Sequence, residues 1–333
     1  MTVFVISEDR PEAEPGLRLA IASLSRYAPD CQINCYKPWQ SNDFDVWATQ
    51  FTNLRLIRQS PVGASSWNCK PHALIPVFEN GGNEAVWIDS DMIVTRDPRG
   101  VFQGLSDTTI AVGEEPYLVR CPNGAEQAAA WGWAPGRQLQ TLINSSIVRV
   151  TRKHMPLLIR WREALTDSRY IECQTKPFDQ RPRHMLGDQD VLFSILGSRE
   201  FADIPIRILR DGTDILHCGG ALGYSFQRRI GDIFKRVPTF LHAIAGKPWW
   251  IFHSKYADIH SKTAVYYRRL LQEVSPYTIA ARQYQDMLDY PLPWLKQRSI
   301  IGRFMELIAF RRHALLGMPL TMVASLLRLI RWC

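Results

Sequence analysis

An apolar segment that ends in two carboxylates, one residue apart, does most to limit how this chain can fold. Val86, Trp87 and Ile88 are typical of a buried strand in a parallel sheet, and Asp89 and Asp91 follow directly. Open α/β sheets bind ligands at the carboxyl ends of such strands, so the acidic pair lies where a ligand is expected. Mg²⁺ and Mn²⁺ prefer oxygen ligands and share their coordination shell with substrate phosphates. The spacing alone leaves two interpretations open, a divalent-metal site and a solvated acidic turn.

Other polar clusters beside apolar runs give the acidic pair its context. They lie at residues 66–72, 144–146, 187–190 and 242–249. Together with the Asp-x-Asp pair, this ordered set resembles the retaining glycosyltransferases of the GT-A fold, in particular the family that includes glycogenin and the bacterial lipopolysaccharide galactosyltransferases (glycosyltransferase family 8). The resemblance spans roughly residues 1–255. It implies an α/β, Rossmann-like fold with a mixed central sheet.

The resemblance also implies a metal ion, Mn²⁺ or Mg²⁺, with Asp89 and Asp91 as ligands. A third ligand would be His242, from the His-x-x-Gly-x-x-Lys-Pro-Trp signature of the family. The signature is one residue short here between histidine and lysine. His253 is the competing third ligand, although a histidine in an apolar stretch is more often a hydrogen-bonded core residue.

The implied donor is a nucleotide-sugar, most simply a UDP-hexose. Gly246 and Lys247 would cradle its diphosphate, and Trp249 belongs to the same signature. Lys70 is a further candidate for a phosphate contact, because a Trp-x-x-Lys-Pro sequence precedes the acidic motif in several GT-A families. An ordinary surface lysine is the alternative.

The chemistry of glycosyl transfer assigns roles to two more clusters. The reaction passes through an oxocarbenium-like state while negative charge builds on the departing diphosphate, so an anion must be stabilised and an acceptor positioned. A metal and a lysine suit the first task, whereas Asn144, Asp188 and Gln189 suit the second. Asp188 would hold the donor sugar, and Gln189 would lie beneath the anomeric carbon. The same cluster also reads as a helix N-terminus, with Asp190 as a capping residue.

The N-terminal residues fit a nucleotide-binding half. Residues 2–6 predict a strand, and apolar residues at helical spacing predict a helix over 16–27. In related enzymes the loop after the first strand contacts the nucleobase and ribose, which makes Glu8 and Asp9 candidates. Two solvated loop acids are an equal alternative. A strand that begins at residue 2 predicts neither a signal peptide nor an N-terminal anchor.

The C-terminal part carries most of the net charge of +8. Residues 296–333 hold seven basic residues against Glu306, interleaved with an apolar series. Basic amphipathic helices bind anionic membrane surfaces, and the uncharged run 314–327 is too short to span a bilayer. We therefore expect a catalytic domain at 1–265 and, at 266–333, a helical membrane-association region, with a packed helical hairpin as the alternative. Without a recognised binding module, a nucleic-acid partner is not expected.

Composition completes the prediction. Seven cysteines, an odd count without a Cys-x-x-Cys pair, favour reduced thiols and hence a cytoplasmic protein on the inner face of the membrane. Trp131 and Trp133 would stack on an acceptor sugar if they are exposed, although tryptophan is more often a core residue.

The predicted function is metal-dependent transfer of a sugar to a saccharide or glycolipid acceptor with retention. An inverting reaction would instead need a carboxylate base such as Asp190 or Asp211. The alternatives are a catalytically silent glycan-binding or scaffold protein at the membrane, and a nucleotidyltransferase that makes nucleotide-sugars. The last would carry a glycine-rich basic loop that residues 7–16 lack.

Overall fold

The computed structural model describes residues 2–60, 66–116, 123–139, 141–219, 224–244, 246–251, 262–296, 298–310 and 312–331. The chain forms two compact units. Unit 1 comprises Met1–Pro11, Pro29–Ser90 and Arg99–Asp211, and unit 2 comprises Glu12–Ala28, Asp91–Pro98 and Gly212–Cys333.

Unit 1 is built on a seven-stranded mixed sheet, which confirms the predicted α/β class. Its strands are β1 (Thr2–Ser7), β2 (Gln32–Tyr36), β3 (Leu54–Ile57), β4 (Glu84–Ile88), β6 (Ile110–Glu114), β7 (Ile143–Thr151) and β8 (Ile206–Leu209), in the order β3-β2-β1-β4-β7-β6-β8. β1 pairs in parallel with β2 and β4, whereas β7 runs antiparallel to β4 and β6. The parallel pairing of β1 and β4 brings their carboxyl ends to one edge.

Unit 1 also contains six α-helices in the part of the chain that the structure describes. They are α2 (Asn42–Ala48), α3 (Lys70–Glu79), α4 (Gly124–Ala130), α5 (Met155–Thr166), α6 (Ser168–Gln174) and α7 (Asp188–Gly197). Trp87 of β4 and Val148 of β7 join Leu74 of α3, Trp161 of α5 and Leu192 of α7 in one apolar cluster. The predicted first strand is confirmed, and its four central residues are all buried, as expected for a strand covered on both faces.

Unit 2 contains a three-stranded sheet in the order β5-β10-β9. Its strands are β5 (Met92–Val94), β9 (Ile215–His217) and β10 (Phe240–His242), and its first helix is α1 (Glu14–Tyr27). β10 is antiparallel to β5 and parallel to β9. The predicted helix over 16–27 is confirmed, and its Ser23 hydroxyl accepts a hydrogen bond from the Val94 N–H at 3.1 Å.

The rest of unit 2 is helical. Its helices are α8 (Phe226–Asp232), α9 (Pro248–Ile251), α10 (Lys262–Glu273), α11 (Pro276–Ala281), α12 (Pro293–Lys296), α13 (Ile300–Ile308) and α14 (Met318–Arg331). Met305 of α13 packs with Val274 and Leu316 in a small core. The domain boundary expected at 265/266 falls inside α10 and stays a prediction. Across the described ranges, the chain contains no helix with the length and apolarity that a membrane span requires.

Candidate active site

The acidic pair lies in a tightly held turn after β4. The Asp89 N–H donates to the Ser146 carbonyl at 2.9 Å, and the Trp87 indole N–H donates to Asp89 Oδ1 at 2.7 Å. Ser90, between the two acids, donates to Glu8 Oε2 at 2.5 Å. Ser90 and Asp91 are only 6 % and 7 % exposed. A solvated acidic turn therefore does not describe this segment.

Glu8 anchors that turn from the loop after β1. It is 3 % exposed, and Arg10 donates to both of its carboxylate oxygens, at 2.8 and 3.0 Å. The predicted contact of Glu8 with the nucleotide would compete with these bonds. Asp9, beside it, is half-buried, and its predicted role stays a prediction.

A buried ion-pair cluster forms the centre of the unit 1 site. The Lys70 ammonium donates to Ser145 Oγ at 2.6 Å and lies 3.0 Å from Asp188 Oδ2 and 3.4 Å from an Asp89 oxygen. Ser145 donates to the same oxygen of Asp188 at 2.7 Å. Lys70 and Asp188 are 3 % and 5 % exposed, so the surface-lysine interpretation is wrong.

The carboxylates keep Lys70 charged. Burial alone would lower the pKa of Lys70, but Asp188 and Asp89 outweigh it and raise that pKa above its ordinary value. Because its N–H groups already face Ser145 and two carboxylates, a direct phosphate contact would require Lys70 to give up one of these partners. Through these contacts Lys70 holds Asp188 and Asp89 in place.

A β-bulge presents the 144–146 cluster. The pairing of β6 with β7 shifts from Val112 opposite Val148 to Gly113 opposite Asn144, which leaves Ser145, Ser146 and Ile147 without ladder partners in β6. Bulges of this kind re-aim side chains and are frequent next to active sites. This bulge allows Ser145 to reach Asp188.

Glu115 links two of the predicted catalytic residues. Its Oε2 accepts from Asn144 Nδ2 at 2.9 Å and from Gln189 Nε2 at 3.4 Å. Asn144 also accepts from the Ser146 N–H at 2.9 Å, and it is 5 % exposed. The structure thus brings Asn144 and Gln189 to one carboxylate.

The 187–190 cluster is both a helix start and part of the site. α7 begins at Asp188, and Asp190 Oδ2 accepts from the Gly187 N–H at 3.1 Å, which agrees with the capping role predicted for Asp190. Burial raises the pKa of Asp190 to about 7, and the neighbouring Asp188 adds to the effect. The Asp188 carboxylate takes no part in capping, because it faces Lys70 and Ser145 instead.

Unit 2 contributes a second polar group. His242 Nε2 lies 3.3 Å from Asp91 Oδ1, and Lys247 forms an ion pair with Asp91 Oδ2. His217, opposite His242 in the parallel β9/β10 pair, places its Nδ1 3.0 Å from Nδ1 of His242. The backbone N–H of Ala243 donates to the Asp91 carbonyl at 3.0 Å.

This donor set fits a divalent cation. Two adjacent ligands of an octahedral ion, each about 2.1 Å from the metal, lie about 3 Å apart, close to the observed separation of the Asp91 and His242 atoms. If Nε2 of His242 binds a metal, its proton must sit on Nδ1 and be donated to Nδ1 of His217. The His217 contact is compatible with this tautomer, whereas donation in the opposite direction would place the His242 proton on Nε2.

The remaining donor candidates have structural partners. The Gly246 carbonyl accepts from Gln272 Nε2 at 2.7 Å. Trp249 is 6 % exposed and packs between Tyr277 and Trp294, with ring centroids 6.2 and 6.1 Å away. His253, the competing third metal ligand, lies outside the described residues.

Trp131 is a core residue, the more frequent position for tryptophan, so the exposure that stacking on an acceptor sugar requires is not met. Its ring is 2 % exposed, its indole N–H donates to the His184 carbonyl at 3.0 Å, and Trp133 stacks on it at 4.8 Å. Arg160 in turn lies over Trp133, 4.8 Å from the ring centroid. Burying an indole removes more apolar area from water than most side chains can, which favours the core position.

The sequence did not single out Ser145, Glu115 or His217 for a role. Ser145 lies in the polar cluster 144–146, in which only Asn144 was assigned a role. Glu115 lies outside the polar clusters on which the resemblance depends. His217 follows two apolar residues and looks like a core histidine. Each acquires its role from a partner distant in sequence.

No family model and no curated protein matches this chain. Solved structures with a similar backbone include the galactosyltransferase LgtC in complex with donor and acceptor sugar analogues, with 12 % identity, a TM-score of 0.49, and 88 % of this chain and 98 % of that chain covered.

A glycosyltransferase involved in glycosylation of the major capsid of PBCV-1 matches with 12 % identity and a TM-score of 0.43, covering 74 % of this chain and 94 % of that one. The glycosyltransferase GlyE of Streptococcus pneumoniae TIGR4 matches with 16 % identity and a TM-score of 0.45, covering 90 % and 67 %. All three of these proteins are glycosyltransferases.

Proposed function

We propose that this chain is a metal-dependent glycosyltransferase that moves a hexose from a UDP-sugar to a saccharide or glycolipid acceptor, with retention of configuration. The observation that carries the proposal is the convergence of Asp91, His242 and Lys247 directly after the strand-end turn. A carboxylate and an imidazole are metal ligands, and an ammonium beside them suits a diphosphate.

Asp89 is the proposed partner of Asp91 and His242 in holding Mn²⁺ or Mg²⁺. Two residues of extended chain span at most about 7 Å, so the carboxylates of Asp89 and Asp91 can reach one ion. When bound, the metal would supply positive charge against the charge that builds on the departing diphosphate. Lys247, which now neutralises Asp91, would be released to the diphosphate beside it, with Gly246 close by in the chain.

The unit 1 residues are proposed to hold the sugar. Lys70 and Ser145 both bind Oδ2 of Asp188, which among the described contacts leaves Oδ1 to accept from a sugar hydroxyl. Glu115 accepts from the amide nitrogen of Gln189, so Oε1 of Gln189 would be the atom that lies beneath the anomeric carbon. Asn144, bound to the same carboxylate, would position the acceptor.

We further propose that residues 296–333 attach the protein to the anionic inner face of the cytoplasmic membrane. α13 exposes Ile300, Phe304 and Leu307 at 87 %, 61 % and 76 %. These residues share one helical face, as in helices that lie in a membrane interface. By contrast, Met305 of the same helix packs inward against Val274.

The test is UDP release from a panel of UDP-sugars, with Mn²⁺ and then with EDTA. We expect release from one donor that EDTA abolishes. Asp91→Asn should lose both release and metal-dependent UDP binding while keeping a folded circular-dichroism spectrum, and Asp43→Asn, at an exposed position, is the matched control. No release from any donor, together with no calorimetric UDP binding, would instead favour a silent glycan-binding protein.

A further inference from the structure

Unit 2 contains a cavity of about 730 Å³ that combines apolar walls with positive charge. Leu241, Ile279 and Leu316 contribute to its apolar wall. Its charged lining residues are Arg96, Arg282, Arg298, Arg312 and Glu306. Among the described lining residues, four arginines therefore face one carboxylate, which favours an anionic ligand with an apolar part.

The cavity is separate from the group around Asp91. Leu241, which lines the cavity, precedes His242 in β10. Because successive side chains of a strand point to opposite faces of a sheet, the cavity and His242 lie on opposite faces of the three-stranded sheet. A ligand here would not occupy the proposed donor site.

Two of the arginines retain donors for a ligand. Arg282 and Arg298 pair with Glu306, at 2.6 and 3.3 Å. By contrast, Arg96 donates to the Val237 carbonyl and Arg312 to the Ile233 carbonyl, each through one guanidinium nitrogen. A guanidinium has several N–H groups in a planar fork that matches a phosphate, so Arg96 and Arg312 keep such groups.

An exposed aromatic residue follows the cavity wall directly in the chain. Glu306 and Ala309 line the cavity, whereas Leu307 lies about 130° around the helix from the middle of that wall. Phe310, directly after α13, is 80 % exposed and adopts φ 46°, a left-handed conformation that usually belongs to glycine. A bulky residue kept in so costly a conformation, with its ring in water, points to a function for that ring.

We propose that this cavity binds the phosphate headgroup of an anionic membrane phospholipid. Arg96 and Arg312 would bind the phosphate, the apolar wall would contact the first carbons of the acyl chains, and Phe310 would enter the membrane. The proposal rests on the membrane attachment proposed above and extends it from a surface to a defined lipid site.

The test titrates a short-chain phosphatidylglycerol, kept below its critical micelle concentration, into the full-length chain in a calorimeter. We expect saturable binding that weakens by about tenfold or more in Arg96→Gln/Arg312→Gln, because each lost bond is charge-assisted. Gln283→Glu, at an exposed lining position, should also weaken binding by adding a negative charge without altering the packing. Lys153→Gln/Arg199→Gln removes the same charge at exposed positions of unit 1 and should bind as the parent does.

Several outcomes distinguish a lipid site in the cavity from binding of inorganic phosphate and from general membrane attachment. Equal affinity in the parent and both cavity variants would overturn it, as would inorganic phosphate binding as tightly as the lipid. If the parent floats with phosphatidylglycerol vesicles and the cavity variants bind the short-chain lipid equally well, only general membrane attachment survives. If the parent binds the short-chain lipid but floats with no vesicle, the cavity site stands and the membrane attachment fails. Neither result depends on UDP release.

Discussion

Replacing Lys70 with methionine should destabilise unit 1 strongly, because it removes the cation that the described contacts place among buried carboxylates. Methionine keeps most of the aliphatic volume, so the change isolates the ammonium. In the parent, the ammonium lies 3.0 Å from Asp188 and 2.6 Å from Ser145. Without it, Asp188 keeps only the Ser145 hydroxyl as a described side-chain donor, at 5 % exposure.

The expected loss is about 3–5 kcal/mol at pH 7.5, the range measured when one partner of a buried ion pair is removed. The loss should depend on pH. Burial raises the pKa of Asp188, and Lys70 acts against that rise, so its removal raises the pKa further. A carboxyl whose folded pKa exceeds its unfolded value stabilises the fold when protonated and loses that contribution as the pH rises through the folded pKa. The deficit of the variant should therefore shrink by about 1.4 kcal/mol per pH unit as the pH falls below the raised pKa.

The assay is urea unfolding from pH 5 to pH 8, followed by tryptophan fluorescence and circular dichroism. Asp188→Asn placed in the Lys70→Met background should restore most of the loss, because it removes the stranded charge. Lys153→Met, at an exposed position, is the control and should change stability by less than about 0.5 kcal/mol. A deficit at pH 7.5 that persists unchanged at pH 5, or no rescue by Asp188→Asn, would refute the reasoning.

Three further predictions follow from other parts of the structure. His217→Leu should weaken Mn²⁺ binding, measured by electron paramagnetic resonance, by about 10- to 100-fold, whereas His217→Asn, which keeps an acceptor for His242, should weaken it far less; equal affinities would contradict the tautomer assignment. Burial raises the pKa of Asp190 to about 7, so the protonated carboxyl stabilises the fold at low pH, and this contribution falls by about 1.4 kcal/mol per pH unit as the pH rises from 4 to 7. Asp190→Asn should flatten this part of the pH profile of urea unfolding, and an unchanged slope would contradict the prediction. Gly197→Ala would put a Cβ 2.1 Å from the Gly124 backbone and should cost about 1–3 kcal/mol in urea unfolding; a loss near zero would show that the two helices can separate freely.

Local sequence patterns predicted the parts of the site that are local. The apolar run before Asp89, the strand at residues 2–6 and the helical spacing over 16–27 each depend on neighbours within a few residues, and each is confirmed. The polar cluster that starts α7 was also predictable, because helix starts have a short-range signal.

Long-range pairing supplied what the sequence could not. Ser145 reaches Asp188 only because β7 bulges against β6, and His217 meets His242 only because β9 and β10 run in parallel register. Neither the bulge nor the register leaves a periodic signal in the chain. The burial of Trp131 is of the same kind, because the sequence left a core position and an acceptor platform both open and the tertiary fold decides between them.

The way the two units share the chain has a consequence for biosynthesis. β5 belongs to the short segment Asp91–Pro98, and its partner β10 follows far along the chain, with Phe240 opposite Val94. At a translation rate of about 5–20 residues per second, β10 is made on the order of 10 s after β5. During that interval β5 and the apolar face of α1 are on the ribosome without the sheet partner that completes their unit. Nascent chains of this protein should therefore be substrates for chaperones that hold exposed apolar segments, and they should be most vulnerable when synthesis halts before β10.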